Sequence, residues 1–513
     1  MIGAMQEIEL KFQVPIVARA ATEAWVHKGS TRRLRLQAAY FDTADRRLAA
    51  AGLALRLRLE GRHWVQTLKG GGADGMTRLE HEVPLDARGR SLPALDPARH
   101  AGTPAGDRLL ALLATPDAGP LHCLYQTDIV RLTRTLRGRG GARIEIAYDR
   151  GHLVAGQAGR LLREPVCELE LELLAGSPLA LLETARQHAL RLGLWLDLRS
   201  KAELGDLLAR GLAMIEPQPA SPAMLRRGMG VAAGLHAVWL SCLPQILRNA
   251  SQIAAGQSRP EHLHQLRVGL RRLRCALALF AGLPGLQELE PDIALAGAEA
   301  EAWFDRLGAM RDATLRAGLF ADDLAAAWQA QFASAAVPAA RPDDPAEPLL
   351  TLLRDRGVQQ QLLLLIELAA RLQALSAVDE QPRLRPLLRR RLQRWLEPMQ
   401  QSVPALDELD EAQRHRLRRR IKRLRYALEF AGALFEGSDK LLDALRRAQQ
   451  ALGDWLDLDG ALALRRQACD AGGACLQPAF ELGWLSAQRA SLQARAQRRV
   501  RRVFRLAARI ELG

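Results

Sequence analysis

The feature that most limits the fold of this chain is a change in residue periodicity near residue 220. Before it, short runs alternate apolar and charged residues, as in EIELKFQV (7–14), LALRLRL (53–59) and CELELELL (167–174). Such alternation predicts β-strands. After it, Leu, Ala and Arg recur at helical spacing. We therefore expect an α+β multidomain protein, with an all-α part after the strands.

Two proline-rich segments indicate where the parts divide. EPQPASP (216–222) breaks both periodicities and is predicted to be a linker. VPAARPDDPAEP (337–348) divides the helical part again. The predicted boundaries are a strand domain over 1–215, the linker over 216–222 and a helical domain over 223–513, with halves of about 223–336 and 349–513.

The helical part contains an internal repeat. The segment HQLRVGLRRLRCAL, beginning at His264, matches HRLRRRIKRLRYAL, beginning at His415. The repeat predicts two related helical bundles. Because residues at i, i+3, i+7 and i+10 share one helix face, each copy also predicts a basic stripe. The two stripes contain His264, Arg267, Arg271 and Arg274, and His415, Arg418, Lys422 and Arg425.

Composition limits the partners. The net charge of +15 favours a polyanion. Aromatic residues make up 4% of the chain, which disfavours stacking on single strands, and no duplex-recognition motif is present, so nucleic acid is disfavoured. The six cysteines lack CxxC spacing, and we find neither a signal peptide nor an apolar run of about twenty residues. We therefore expect a cytoplasmic protein that does not bind membranes.

Charged residues concentrate on one face of the predicted strands. In the first strand, Glu7, Glu9 and Lys11 lie opposite Ile8 and Leu10. A solvated polar face would explain any one strand. The repeated choice of Glu, Arg and Lys instead favours a charged interior, because carboxylates bind hard cations and basic groups bind phosphate oxygens. A closed barrel would bring both sets into one lumen.

The motif EIELKF (7–12) resembles the ExExK signature of the CYTH superfamily, the triphosphate tunnel metalloenzymes. The similarity covers roughly residues 5–210 and is to the bacterial inorganic triphosphatases in particular. The other matching segments, in the family's order, are YFDTADRRL (40–48), GLALRLR (52–58), TLKG (67–70), RIEIAYDRG (143–151), EPVCELELELL (164–174) and RSKAE (199–203).

This resemblance implies an eight-stranded antiparallel β tunnel that hydrolyses tripolyphosphate to diphosphate and phosphate with Mg²⁺ or Mn²⁺. It implies catalytic roles for Glu7, Glu9, Lys11, Glu168 and Glu170. Substrate-binding positions are implied at Lys11, Arg56, Arg58, Lys69, Arg131 and Lys201. The implied metal-site acids are Glu7, Glu9, Glu80, Glu145, Asp149, Glu168 and Glu170, whereas Arg78, Glu82 and Glu172 have no assigned role.

Two alternatives to an inorganic triphosphatase stay open from the sequence. One is a catalytically weak protein that binds polyphosphate granules. The other is a tunnel enzyme for an organic triphosphate, such as thiamine triphosphate or ATP. Both keep the same tunnel, so the motifs quoted above do not separate them.

The repeated helical motif resembles the HxxRVxxRRxR motif of the CHAD domain, over about residues 225–510. Lys422 replaces an arginine in the second copy, and Thr314 replaces an acid in LGAMRDATL (307–315). The resemblance implies two duplicated four-helix bundles, binding to long-chain inorganic polyphosphate and association with its granules. The implied binding residues are His264, Arg267, Arg271, Arg272, Arg274, His415, Arg418, Lys422, Arg423 and Arg425. The part played by Arg498, Arg499, Arg502 and Arg505 stays open.

Overall fold

A computed structural model gives the fold of the chain. It describes residues 5–71, 74, 76–157, 159–318, 321–331, 346–378, 381–400, 405–472 and 476–510. Most of the proline-rich segment 337–348 lies outside these ranges, as do the side chains of residues 309–315 in LGAMRDATL. Of the helices within these ranges, none combines the length and the apolar character that crossing a membrane requires.

The first part of the chain forms an antiparallel sheet. Its strands are β1 (Met5–Gln13), β2 (Arg32–Asp42), β3 (Leu53–Glu60), β4 (His63–Gly71), β5 (Thr77–Arg88), β6 (His122–Arg137), β7 (Arg143–Gln157), β8 (Arg160–Ala175) and β9 (Trp195–Leu196). The strand order is β5-β4-β3-β2-β6-β7-β8-β1, and β1 pairs again with β5. This second pairing closes an eight-stranded barrel, which confirms the predicted tunnel. The short β9 adds to β1.

Alternation along each strand separates an apolar outer face from a charged inner face. In β3, Leu53, Leu55 and Leu57 are almost fully buried on the outer face. Arg56 and Arg58 alternate with them and line the internal cavity. The outer leucines pack under two small helices, so the same alternation that builds the barrel also orients its lumen charges.

Five helices accompany the barrel. They are α1 (Arg19–Val26), α2 (Arg47–Ala50), α3 (Pro104–Leu113), α4 (Pro178–Thr184) and α5 (Lys201–Arg210). Helices α2 and α3 cover the outer face. Helix α5 packs inside, where Leu204 and Leu208 contact Leu36 and Ile129 of the barrel wall. Gly205 allows this close approach, because a Cβ there would overlap the ring of Tyr125.

The rest of the described chain is helical. Its helices are α6 (Val231–Ala254), α7 (Pro260–Phe280), α8 (Glu290–Gly318), α9 (Ala321–Gln331), α10 (Ala346–Arg354), α11 (Arg356–Ser376), α12 (Leu384–Gln400), α13 (Glu411–Ala431), α14 (Ser438–Gly472) and α15 (Leu476–Ala507). The predicted all-α part after the strands is therefore confirmed. In sequence order, helices α6–α9 and α12–α15 are two sets of four, and α10 and α11 lie between these sets along the chain.

The two sets of four helices repeat one another. Helices α7 and α13, which carry the two basic stripes, are each 21 residues long. The starts of α6 and α12 also pair reciprocally. The Val231 N–H donates to the Pro382 carbonyl at 3.0 Å, and the Leu384 N–H donates to the Met229 carbonyl at 3.0 Å. Such a reciprocal pair is what duplication of one helical unit produces.

The chain forms two compact units, and each takes non-contiguous segments. Two stretches of the helical part belong to the same unit as the barrel, which the predicted boundaries at 215 and 223 did not anticipate. The first unit contains Met1–Ala220, Leu240–Gly269 and Ala346–Arg371, and the second contains Ser221–Trp239, Leu270–Pro345 and Leu372–Gly513.

Candidate active site in the tunnel

The barrel encloses a cavity of about 1470 Å³. Its charged lining residues include groups from strands β1–β8, from α5 and from α6, so residues that are distant in sequence meet in one lumen. The charged lining residues predicted from the sequence are Glu7, Glu9, Arg56, Arg58, Lys69, Glu80, Arg131, Glu145, Asp149, Glu170 and Lys201. Arg78, Glu82 and Glu172, which had no predicted role, line it as well.

One group of carboxylates gathers around a single ammonium. Asp149 of β7 lies beside Glu168 and Glu170 of β8, and one oxygen from each lies within 4.8 Å of the others. The Lys201 Nζ lies 2.7 Å from an Asp149 oxygen and 2.8 Å from a Glu170 oxygen. It also pairs with Glu168. The ammonium therefore stands where three carboxylates converge.

Arg131 of β6 adds a second positive charge to this carboxylate group. Its Nε donates to one oxygen of Asp149 at 2.7 Å and its Nη2 donates to the other at 2.6 Å. The same Nη2 contacts Glu170. This two-point geometry holds the guanidinium plane fixed against Asp149, whose side chain is fully buried.

A second charged group lies on the β1, β4 and β5 side of the lumen. The Lys69 Nζ lies 2.9 Å from an oxygen of Glu7 and 2.9 Å from an oxygen of Glu80. Arg56 lies 3.7 Å from Glu80 and donates to the Tyr40 hydroxyl at 3.1 Å. These contacts depend on register, because Lys69 and Glu80 face each other across β4 and β5.

Glu9 and Arg58 have partners that the sequence prediction left without a role. Arg78 of β5 pairs with Glu9 of β1. Arg58 Nη2 donates to Glu82 at 2.8 Å. The alternation of charges on β5 was a signal for both partners, because Arg78, Glu80 and Glu82 share one strand face.

Burial and neighbouring charges shift the pKa values of the lumen acids in opposite directions. Burial raises the pKa of Glu7 to about 8, with Lys69 opposing the rise and Glu9 adding to it. Burial also raises the pKa of Glu172 to about 7, and nearby Glu145 contributes. For Glu170, burial works against the charged form, yet Lys201 and Arg131 hold the pKa well below its usual value. The lumen therefore holds acids of unequal acidity close together.

The residues fit a hard divalent cation. Mg²⁺ and Mn²⁺ take oxygen ligands, and Asp149, Glu168 and Glu170 supply them from one small region. Within the described residues, the buried Oε1 atoms of Glu9, Glu80 and Glu168 accept no hydrogen bond, although each lies near a basic side chain. These oxygens retain lone pairs that a cation could use.

Lys11 and Glu168, among the predicted site residues, do not line the cavity as described. Their side chains are 4% and 1% exposed. The Lys11 Nζ lies 3.3 Å from Glu168 and donates to the Arg199 carbonyl. In this arrangement the Lys11 ammonium is buried against Glu168. Its predicted contact with substrate stays a prediction.

Helix α5 places Lys201. Ser200 is the N-cap, and its hydroxyl accepts the Glu203 N–H at 3.1 Å while Glu203 accepts the Ser200 N–H at 2.9 Å. This reciprocal capping box fixes where the helix begins. Lys201 is the first helical residue, so the cap aims its side chain at the carboxylates.

The basic stripes lie on α7 and α13 as predicted from spacing. In the second unit, Arg271 of α7 acts electrostatically on Lys422 of α13, as do Arg418 and Arg425. Their repulsion and burial lower the pKa of Lys422 to about 7, with burial the larger cause. Cations that lower one another's affinity for a proton in this way favour a bound anion.

Not every residue of the predicted polyphosphate-binding set lies open to solvent. Arg272 is 3% exposed, and it donates to the Ser221 carbonyl at 2.7 Å. Arg274 pairs with Glu301, and Arg423 stacks on the ring of Trp395 at 4.3 Å. These three residues were predicted from the motif, and in the structure each has a partner within the protein.

The fold and the site define a class of protein. Its members have a closed β tunnel with acidic and basic groups facing one lumen, followed by a duplicated helical domain. Residues 5–203 match the model of the CYTH domain, and residues 237–466 match that of the CHAD domain. The chain therefore carries a CYTH domain followed by a CHAD domain.

Known proteins match both domains. An inorganic triphosphatase of Haemophilus influenzae is 27% identical over 212 residues, which cover 40% of this chain and 55% of that protein. The chain thus aligns with about half the length of that relative. The crystal structure of the CHAD domain from Ricinus communis is 25% identical and covers 58% of this chain and 98% of that one, with a TM-score of 0.38.

A putative adenylyl cyclase of Hippeastrum, described as having a dominant triphosphatase activity, is 17% identical. It covers 40% of this chain and 97% of that one, with a TM-score of 0.28. The family assignment is carried by the two domain matches.

Proposed function

We propose that the tunnel is an inorganic triphosphatase, which hydrolyses tripolyphosphate to diphosphate and phosphate with Mg²⁺ or Mn²⁺. The observation that carries this proposal is the pairing of two charged groups in one lumen. A carboxylate group around Lys201 suits a metal, and a basic group around Lys69 and Arg56 suits a phosphate chain. The triphosphatase relative of the CYTH part supports the same activity.

Different residues of the tunnel would bind the phosphate chain and contact the phosphoryl group under attack. Lys69, Arg56, Arg58, Arg78 and Arg131 hold the phosphate oxygens, and their present carboxylate partners give way to the substrate. Lys201 lies beside the carboxylates and would contact an oxygen of the phosphoryl group under attack. In the reaction, a water oxygen bonds to a terminal phosphorus, the bond to the bridging oxygen breaks, and the water proton leaves with solvent.

The metal would be held by Asp149, Glu168 and Glu170, with Glu7, Glu9, Glu80 and Glu145 as further acids of the site. When bound, a divalent cation neutralises phosphate charge and orients the attacking water. Such chemistry needs positioning and electrostatic stabilisation more than a protein nucleophile.

We further propose that the CHAD domain binds long-chain polyphosphate through the stripes of α7 and α13. Arg271, Arg418 and Arg425 each disfavour the charged form of Lys422, a repulsion that a polyanion would relieve. This binding would hold the enzyme on polyphosphate and on its granules.

The test is phosphate release from tripolyphosphate, ATP and long-chain polyphosphate, with Mg²⁺, with Mn²⁺ and with EDTA. We expect metal-dependent turnover of tripolyphosphate well above the other two substrates. Glu170→Ala should abolish turnover and leave polyphosphate binding unchanged. The matched control is Asp128→Ala, which removes an exposed carboxylate paired with Arg35 outside the lumen. Preferred turnover of ATP, or none at all, would contradict the proposal.

A further inference from the structure

The tunnel cavity is not lined by the barrel alone. Pro244 and Arg248, which lie on α6 of the helical part, line the same cavity as Lys201. Both belong to the compact unit that contains the barrel. A helix beyond the matched CYTH residues therefore contributes to the surroundings of the tunnel site.

Arg248 makes a specific contact with α5. Its guanidinium pairs with Oε1 of Glu203. The other carboxylate oxygen of Glu203 accepts the Ser200 N–H at 2.9 Å. Burial opposes the charged form of Glu203, yet Arg248 holds the pKa of this carboxyl below its usual value. Arg248 is thus one end of a chain of contacts that passes through Glu203 to the first turn of α5.

That first turn carries Lys201, whose ammonium meets Asp149, Glu168 and Glu170. The helix is also held further along, where Asp206 pairs with Arg46 at 3.2 Å. Arg46 is, among the described residues, the one non-glycine residue with positive φ, at 63°. A backbone held in this less favourable region requires support from its surroundings, and the ion pair with Asp206 is one such contact.

The geometry points to Arg248 as a positioning residue of the tunnel: by holding Glu203, the helical part fixes the first turn of α5 and sets where the Lys201 ammonium stands. The catalytic consequence rests on the proposed triphosphatase function, whereas the structural consequence does not. Arg248 would act through Lys201 rather than by binding the reacting phosphoryl group.

The structural consequence can be measured without turnover. The chain has only six lysines, so ¹³C-labelled lysine side chains give few NMR signals, and Lys201→Met identifies that of Lys201. We expect Arg248→Gln to shift and sharpen the Lys201 signal, and Arg248→Lys to restore it in part. The matched control is Arg259→Gln, which removes an exposed arginine paired with Glu216 at 3.3 Å and should leave the signal in place.

Kinetics supply the second readout. Because small misplacements of a catalytic group are costly, Arg248→Gln should lower kcat for tripolyphosphate about ten-fold or more, with KM changed little. It should have no further effect in the Lys201→Met background, since residues acting through one another are not additive. Glu203→Gln removes the same ion pair by changing its other partner. This variant replaces Arg248→Gln in the test if Arg248→Gln does not fold.

The outcomes separate the two proposals. A wild-type protein without tripolyphosphate turnover would contradict the proposed function, while the NMR signal would still decide the inference on Arg248. A Lys201 signal that is unchanged in folded Arg248→Gln and Glu203→Gln would overturn the inference, whatever the activity. Additive effects of Arg248→Gln and Lys201→Met on kcat would overturn it as well.

Discussion

Lys201 places a positive charge where three carboxylates converge. Its ammonium contacts three carboxylates, of which Asp149 and Glu168 are almost fully buried. A buried charge that loses its partner destabilises a protein by several kcal/mol. The depressed pKa values of Asp149 and Glu170 mean that the ion pairs stabilise the fold at neutral pH and are lost as pH falls through the folded-state values.

We predict that Lys201→Met lowers the free energy of unfolding by about 3–5 kcal/mol without metal. Added Mg²⁺ should recover part of this loss, because the cation would neutralise carboxylates that have lost their ammonium partner. The measurement is the unfolding temperature of the wild type and of both variants, with and without Mg²⁺. Lys28→Met, a lysine with no lumen contact among the described residues, is the control. No recovery of Lys201→Met by Mg²⁺ would count against a cation site at these carboxylates.

The sequence predicted which strand face each site residue occupies, but it did not predict how deeply each side chain is buried. The ExExK motif and strand alternation placed Glu7 and Glu9 in the lumen, because a period of two fixes which face a side chain takes. The same alternation placed Lys11 there, yet its ammonium is buried against Glu168. Periodicity gives the face of an element and not the depth of each side chain within the packing.

At the level of single helices, α7 and α13 show the same limit. Spacing predicted that Arg271, Arg418, Lys422 and Arg425 lie on basic stripes of these two helices, and the effect of the three arginines on Lys422 agrees with that placement. Arg272 belongs to the same motif, but it is buried over the ring of Phe430 at 5.2 Å. A repeat shows that a pattern was retained, whereas only packing shows which of its charges face solvent.

The lowered pKa of Lys422 makes a prediction for helix α13. Lys422 is largely neutral above pH 7 and charged below it. Polyphosphate should therefore bind more tightly at pH 6 than at pH 8, by roughly five-fold for one added charge near the ligand. In the absence of ligand, the unfolded state binds the extra proton between pH 7 and about 10, so the free energy of unfolding should rise with pH across that window.

The measurement is binding of long-chain polyphosphate at pH 6 and pH 8 at constant ionic strength. Lys422→Arg is the matched variant, because arginine keeps its charge at both values. The rest of the two stripes is the same in both proteins, so its contribution cancels in the comparison. A pH dependence as large in Lys422→Arg as in the wild type would contradict the assignment to Lys422.

At the scale of the whole molecule, the barrel and two helical segments form one compact unit. Side chains of the helical segments accept hydrogen bonds from backbone N–H groups in the stretch of chain that comes after β8. Gln359 accepts from Leu196 at 2.8 Å, Ser251 from Leu198 at 3.1 Å, and Gln252 from Ile215 at 3.1 Å. Because these partners lie far apart in sequence, no local pattern could have predicted them.

We therefore predict that a chain ending at Ala220 folds poorly, although it contains every strand of the tunnel. Its three N–H groups would lose their acceptors, at about 1–3 kcal/mol for each that stays buried. That sum is a large share of the 5–15 kcal/mol that stabilises a typical domain. The measurement is the unfolding temperature of the shortened and full chains. In the full chain, Gln359→Ala should destabilise by about 1–3 kcal/mol, and the exposed Gln187→Ala should have little effect. A shortened chain as stable as the full one would show that the tunnel does not depend on the helical segments.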